Sequence, residues 1–408
     1  MVVPKLRFKE FDNQWDKTTI NDQAQTVTSG SRDWAQYYSE SGDKFIRMTN
    51  LVRDGIYLDL SDLKFVQLPK DSNEGKRTSL KFGDILISIT AELGKLGWIP
   101  EGLGTAYINQ HTALVRMKDS VDSKFVAYSL STEKYNNKLN SLNDSGAKAG
   151  LNLGTIRNFE LIVPAKAEQT KIASFLSAVD EKISQLTQKH ALLGQYKQGM
   201  MQKLFSQQIR FKADDGSEFG EWEDKTIEQI ANFRRGSFPQ PYGLPEWLDS
   251  NGFPFVQVYD VSDKMLLKER TKIKISQLAA DQSVFAKQGT LIITIQGSIG
   301  RIAKMQYDAY VDRTLLIFQS YNCEVDVDYF KYALFLLFNI EKERAEGAII
   351  KTITKETLSK FIVQLPCLEE QTKIANFLSA IDQKNEVVAQ QIEQAKLWKK
   401  GLLQQMFV

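Results

Sequence analysis

Residues 164–206 occur a second time at 366–408, at a constant offset of 202 residues and without a gap. Between Glu168 and Lys182, twelve of fifteen positions are identical to their counterparts between Glu370 and Lys384. Agreement that close at a fixed spacing is internal duplication, and any reading of the fold has to accommodate it.

The repeated stretch has the pattern of a long helix. Pro164 and Pro366 each close an extended segment, because the ring fixes φ and biases the preceding residue away from helix. Apolar residues then recur at Ile172, Phe175, Val179, Ile183, Leu186, Leu193, Met200 and Leu204, in steps of three, four or seven. The second copy keeps the seam with Ile374, Phe377, Ile381, Val388, Ile392, Ala395, Leu402 and Met406. Roughly 38 helical residues at ~1.5 Å rise make a rod of about 57 Å. A rod of that length buries only a stripe of itself and needs a helical partner along most of it, and the nearest one is its twin.

Composition sets the outer bounds. The 408 residues suffice for two to three domains with ordinary apolar cores. Cys323 and Cys367 lie far apart with no ligand-spaced partner, so neither a disulfide framework nor a zinc site is expected, which fits a reducing cytoplasm. The N-terminus has no apolar signal region, and the run Tyr332 to Phe338 is far too short to span a bilayer, so a soluble protein is expected. A net charge of +2 means that any nucleic-acid binding must come from local concentration of Lys and Arg, or from a partner.

The duplication extends beyond the helices. Arg7-Phe8-Lys9 with Trp15 reappears as Arg210-Phe211-Lys212 with Trp222. Gly30-Ser31-Arg32 leads to Phe45-Ile46-Arg47, and Gly236-Ser237-Phe238 leads to Phe255-Val256-Gln257. A β-branched strand enters a glycine loop at 82–97 and again at 288–303, with Lys95 and Arg301 at matching places. Polar connectors follow, Asn109-Gln110-His111 and Asp312-Arg313, and helices are expected near 123–141 and 327–346. The frame is shared while the polar residues on it differ. The implied order is a mixed α+β domain at 1–165, a long helix at 166–207, a second domain at 208–366 and a second helix at 367–408.

Catalytic constellations are missing. Gly75-Lys76 and Gly94-Lys95 lack the upstream glycine of a phosphate-cradling loop. No Asn-Pro-Pro-Tyr or Asp-Pro-Pro-Tyr occurs to hold a flipped adenine, which argues against a self-sufficient methyltransferase. Glu223-Asp224-Lys225 beside Asp214 and Asp215 reads as a solvated face, and neither His111 nor His190 reads as a general base. No catalytic and no metal-binding residue is assigned. What remains is a pair of binding modules whose glycine loops bring backbone N–H groups and a basic side chain toward phosphate, with Arg and Gln on neighbouring loops suited to base edges. The candidates for DNA contact are Arg32, Arg47, Lys95, Gln110, Arg234, Arg235, Gln257, Gln296, Arg301 and Arg313. A duplicated protein-binding scaffold with a coiled-coil dimeriser is the alternative.

The motif Pro-x3-Glu-Gln-x-Lys-Ile-Ala-x-Phe-Leu-Ser-x2-Asp-x-Lys at 164–182 and 366–384, with the openings Leu-Arg-Phe…Trp at 6–15 and Ile-Arg-Phe…Trp at 209–222, resembles the specificity subunit of Type I restriction-modification systems. The resemblance implies two pseudo-symmetric target-recognition domains held apart by two long helices packed antiparallel as a coiled coil. It further implies a non-catalytic reader of a bipartite double-stranded DNA site that scaffolds two methyltransferase subunits and restriction subunits. Those partners would supply S-adenosylmethionine, ATP and Mg2+ chemistry, while this chain binds no cofactor. The outer apolar positions Leu192, Met201, Phe205, Leu397, Leu403 and Phe407 are the expected subunit contacts.

Overall fold

The computed structural model describes residues 3–70, 74–142, 150–344 and 354–407. The chain divides into two compact units, Met1–Gln188 with Ala389–Val408, and Lys189–Val388. Each is built from the same parts.

In the first unit a four-stranded antiparallel sheet runs in the order Ala24–Ser29, Thr112–Met117, Ile85–Ser88, Leu96–Trp98. All four residues of Ile85–Ser88 are buried, as expected for a strand covered on both faces. Successive side chains alternate between the faces. Ile85 and Ile87 pack with Ile172, Leu176 and Val179 of the long helix. Leu86 faces the other way, into a cluster with Ile46, Ile108 and Leu114. That second cluster seats an outer sheet, in the order Tyr38–Ser39, Lys64–Val66, Asp43–Ile46, Ala106–Ile108, whose last pair is parallel. The second unit repeats the inner sheet with Ala231–Arg235, Leu315–Tyr321, Leu291–Thr294 and Ile302–Lys304. Its outer sheet is Ile273–Ile275, Leu248–Val256, Ala309–Val311 and Val284–Ala286.

The long helices are Lys166–Phe205, 40 residues, and Leu368–Met406, 39 residues. The Glu-Gln pair that opens both copies explains the strictness of the repeat. Glu168 is buried and accepts from Arg7 Nε at 2.7 Å and its terminal nitrogen at 2.8 Å. Glu370, also buried, takes the same fork from Arg210 at 3.0 and 2.6 Å and adds the indole N–H of Trp222 at 3.0 Å. Gln169 accepts from the backbone N–H of Asp122 at 3.0 Å and donates to the Pro164 carbonyl at 2.8 Å. Gln371 does the same with Asp326 at 2.9 Å and Pro366 at 2.8 Å. A buried carboxylate is tolerated only when paired and fully bonded, so Arg7 and Arg210 must recur wherever Glu168 and Glu370 do.

The structure adds detail to the sequence reading at the long helices and at the two shorter helical stretches. The divisions between the compact units fall inside the long helices, at 188/189 and 388/389. The cause is packing: Met201 and Leu204 bury in the second unit's core, and Leu402, Met406 and Phe407 in the first's. The helical stretch at 123–141 is two helices, Ser123–Ser131 and Glu133–Ser141, because Thr132 leaves helical geometry and caps Tyr135. The later one is a single helix, Val327–Arg344; residues 345–346 of the expected range lie outside the described residues.

Candidate nucleic-acid interface

At one end of each outer sheet a glycine loop crosses the parallel-strand terminus at close range. A Cβ on Gly236 would lie 2.2 Å from the Val311 carbonyl oxygen and 2.4 Å from that of Asp312. On Gly30 it would lie 2.1 and 2.5 Å from the corresponding oxygens of Ile108 and Asn109. Only glycine permits that approach. It brings the segment after each glycine beside the polar connector, with Ser237 N donating to Val311 O at 3.0 Å and Gln110 N to Ser31 O at 3.0 Å.

In the second unit this junction is concave. Gln257, Gln296 and Arg313 line a hollow of about 260 Å³ together with Tyr242, Asp312 and Thr314. The turn is set by buried Asp312, whose Oδ1 accepts from Thr314 N at 2.9 Å and Thr314 Oγ1 at 2.6 Å. Arg313 projects outward with its guanidinium 4.9 Å from the Tyr242 ring centroid, and that ring lies 4.8 Å from Phe238. Gln257 is held by its backbone N–H, which donates to Asp260 Oδ2 at 2.9 Å, while its side-chain oxygen accepts from the Tyr259 hydroxyl. Burial pushes the Asp260 carboxyl above the usual range, against the N–H groups of Gln257 and Lys272 that hold it down. The same burial raises the Tyr259 phenol.

The first unit carries different groups on the same frame. The His111 imidazole bridges Thr90 Oγ1 at 2.8 Å and Gln110 Nε2 at 2.9 Å, and a neutral ring protonated on Nδ1 satisfies both. His111 N donates to Asn109 Oδ1 at 3.1 Å, the counterpart of the Asp312 turn. Arg32 is exposed beside the loop. Arg47 is engaged: its guanidinium donates to Asp62 Oδ2 at 2.7 Å, and the hydrogen bond to it holds that carboxyl below the usual range.

The family model for the Type I restriction modification DNA specificity domain matches residues 13–193 and again 220–397. The chain belongs to the Type I restriction-modification specificity subunits. The putative type I restriction enzyme MjaX specificity subunit of Methanocaldococcus jannaschii is 24% identical over 418 residues, spanning 98% of this chain and 94% of that one. The MjaVIII specificity subunit of the same organism is 24% identical over 261 residues, 60% of each chain. Among solved structures, a Type I S subunit from M. genitalium superposes with a TM-score of 0.63 at 17% identity, covering 100% of this chain and 99% of that one. A chain of a type I R-M system solved for complex assembly and conformational transition gives 0.57 at 15% identity and 97% of both. These two likenesses establish the fold. A specificity subunit reads DNA sequence for its restriction-modification complex and is not itself catalytic.

Within this specificity subunit several of the expected contact side chains are engaged inside their own unit. Lys95 is paired with Glu92 at 2.5 Å and Arg301 donates to the Val261 carbonyl at 3.2 Å, so neither accompanies its glycine loop outward. The glycines there serve packing instead: Asn136 Nδ2 donates to Gly94 O at 2.7 Å, and Gly300 lies against Phe338. Met201 and Phe407 are buried, and Phe205 and Leu403 half-buried, in their own units' cores, leaving Leu192 at 55% and Leu397 at 72% exposure as the outward apolar positions.

Arg234 and Arg235 are exposed on the strand that runs into Gly236. In the first unit those two places are Thr28 and Ser29, and Arg77, which the sequence reading passed over, reaches in from a separate loop. Its guanidinium donates to Ser29 O at 3.0 Å and to Thr28 Oγ1. Nor does a linear pattern mark Tyr242 as the backing of Arg313, or Tyr259 as the hydroxyl that donates to the Gln257 side chain. Among the described residues no group of His, Cys, Asp and Glu is arranged to hold a metal ion. No helix there is long and apolar enough to cross a membrane.

Proposed function

We propose that each unit reads one half of a split double-stranded DNA site, and that the two long helices pack antiparallel as a coiled coil that fixes the unread spacer. One observation carries the reading: the Gly30 and Gly236 loops meet their polar connectors in the same geometry yet present different polar sets. A common frame with exchangeable groups suits two half-sites of different sequence. The antiparallel pairing is supported by Asp180 with Lys399 in one unit and Lys197 with Asp382 in the other, since the partner number falls as the first rises.

Two methyltransferase subunits and the restriction subunits are the proposed partners, bringing S-adenosylmethionine, ATP and Mg2+, with this chain holding no cofactor and working in the cytoplasm. Leu192 and Leu397 are proposed contacts for them. So is a hollow of about 1330 Å³ in the second unit, between Met201 of the long helix and Phe335, Leu336 and Ile340 of the Val327–Arg344 helix.

Replacing residues 1–160 by the same segment of a relative should change one half-site only. Inserting about one helical turn in either long helix should change the spacer. Methylated positions mapped in host DNA read both results, and a swap that alters both half-sites, or a spacer that stays put, counts against the proposal. Log affinity for duplex should also fall steeply with log salt, whereas an apolar peptide contact would barely respond.

A further inference from the structure

We infer that the hollow of the second unit reads the major-groove edge of a G·C base pair, Arg313 donating to the guanine and Asp312 accepting from the amino group of the paired cytosine. The inference rests on the reading of the second unit as a half-site reader and names what it reads.

Asp312 supplies the first observation. It is 1% exposed and lines the hollow, and Oδ1 is fully used by Thr314. Oδ2 is buried with no hydrogen-bond partner. A carboxylate oxygen left that way is costly, and a ligand that brings a hydrogen-bond donor, such as an amino N–H, relieves the cost. The first unit has no such group: Asn109 holds the equivalent turn with its amide oxygen.

Arg313 supplies the second. It is exposed and makes no ion pair among the described residues, yet it is not loose, because the Tyr242 ring lies under the guanidinium at 4.9 Å. Stacking an arginine on an aromatic orients its planar fork while leaving its edge N–H groups unspent. A fork needs two acceptors side by side. Of the base-pair edges in the major groove, only G·C presents acceptor, acceptor, donor in sequence, as N7 and O6 of guanine followed by N4 of cytosine. An A·T pair places the adenine amino group between two acceptors, which sets a donor against the fork. Asp312 and Arg313, adjacent in the chain, together complement the G·C order. Tyr242 is a positioning residue in this arrangement.

The test uses the full chain copurified with its modification subunit, challenged with a randomised duplex DNA library and sequenced after selection. Arg313→Lys keeps the charge and loses the fork. It should relax one G·C pair in one half-site by about 10- to 100-fold and leave the other half-site intact, which also shows the variant folded. Asp312→Asn keeps the turn, as Asn109 does, and should relax the same pair toward A·T. Tyr242→Leu should weaken discrimination at that pair and Tyr242→Phe should keep it. Uniform loss of binding in R313K would make Arg313 a phosphate contact and overturn the inference. So would a response at an A·T pair, or an Asp312→Asn variant that reads as wild type. A wild-type chain that selects no sequence would overturn the proposed function with it, whereas a split site indifferent to Arg313→Lys would overturn this inference alone.

Discussion

Lys399 Nζ lies 2.5 Å from Asp180 Oδ1, joining the two long helices inside the first unit with both side chains less than 15% exposed. Tyr128 completes the site by donating its hydroxyl to Asp180 Oδ2 at 2.6 Å. The second unit repeats the triad with Lys197, Asp382 and Tyr332, at 2.6 Å and 2.7 Å, each lysine coming from the helix that does not supply the aspartate. Burial lowers the Lys197 ammonium from its ordinary value, with Asp382 opposing.

Removing one member of such a pair strands the other charge in a desolvated place. Lys399→Met should cost on the order of 3 kcal/mol. Lys197→Met should cost less, about 1 kcal/mol, because Asp382 is 40% exposed and water screens what the lysine leaves behind. Denaturant melts measure the difference, and hydrogen exchange should place the first loss at residues 123–131 and 389–406. Equal costs would mean that the pairs do not differ in solvent screening as their exposures indicate.

Gly300 and Gly94 occupy the same place in the two glycine loops, at φ +73° and +74°, but face different neighbours. A Cβ on Gly300 would meet the Phe338 ring at 2.6 Å, while on Gly94 the nearest atom is Asn136 Nδ2 at 3.2 Å. Both alanine variants carry the left-handed backbone penalty of ~1 kcal/mol. Gly300→Ala must also displace a buried ring and should lose roughly 2 kcal/mol more in a thermal or urea melt. If the two variants melt alike, Phe338 moves aside at no cost.

The helices and the duplication were legible because period and repeat are local properties of a sequence. The purpose of Glu168 and Gln169 was not, although their recurrence was plain, since it depends on Arg7 and the Asp122 backbone arriving from elsewhere. The same limit explains the basic residues. Lys95 and Arg301 have the charge and the loop position for phosphate, but Glu92 and the Val261 carbonyl claim them, and Arg47 is claimed by Asp62. Conversely Gln257, Gln296 and Arg313, scattered over more than fifty residues, do converge, because the parallel strand pair and the Gly236 crossing bring three separate loops to one end of a sheet.

Arg47 can reach DNA only by leaving Asp62, whose carboxylate is exposed. Asp62→Ala removes the competitor and should raise affinity for cognate duplex, with a log–log salt slope steeper by about one. The hydrogen bond and charge of Arg47 hold the Asp62 carboxyl low, so the competition is in force at neutral pH and is lost as pH falls through that lowered value. Unchanged binding in Asp62→Ala would place Arg47 outside the contact surface.

Tyr321 ends the Leu315–Tyr321 strand with its ring edge-on to Phe330 at 6.1 Å. Burial, reinforced by the nearby Asp328 charge, pushes its phenol up to about 12 from an ordinary value of 10.0. The folded state therefore keeps the proton where the unfolded chain has lost it, and the sign follows: this contribution is full below pH 10 and is lost as pH rises from 10 toward 12. A shift of that size corresponds to roughly 2–3 kcal/mol. Tyr329 and Tyr332 are shifted in the same direction by burial, so the wild type should lose stability steeply in this window. Tyr321→Phe removes one titrating group and should lose ~2 kcal/mol less between pH 10 and 12, read from urea melts at three pH values. A variant that tracks the wild type across the window would show that Tyr321 ionises at its ordinary value in the fold.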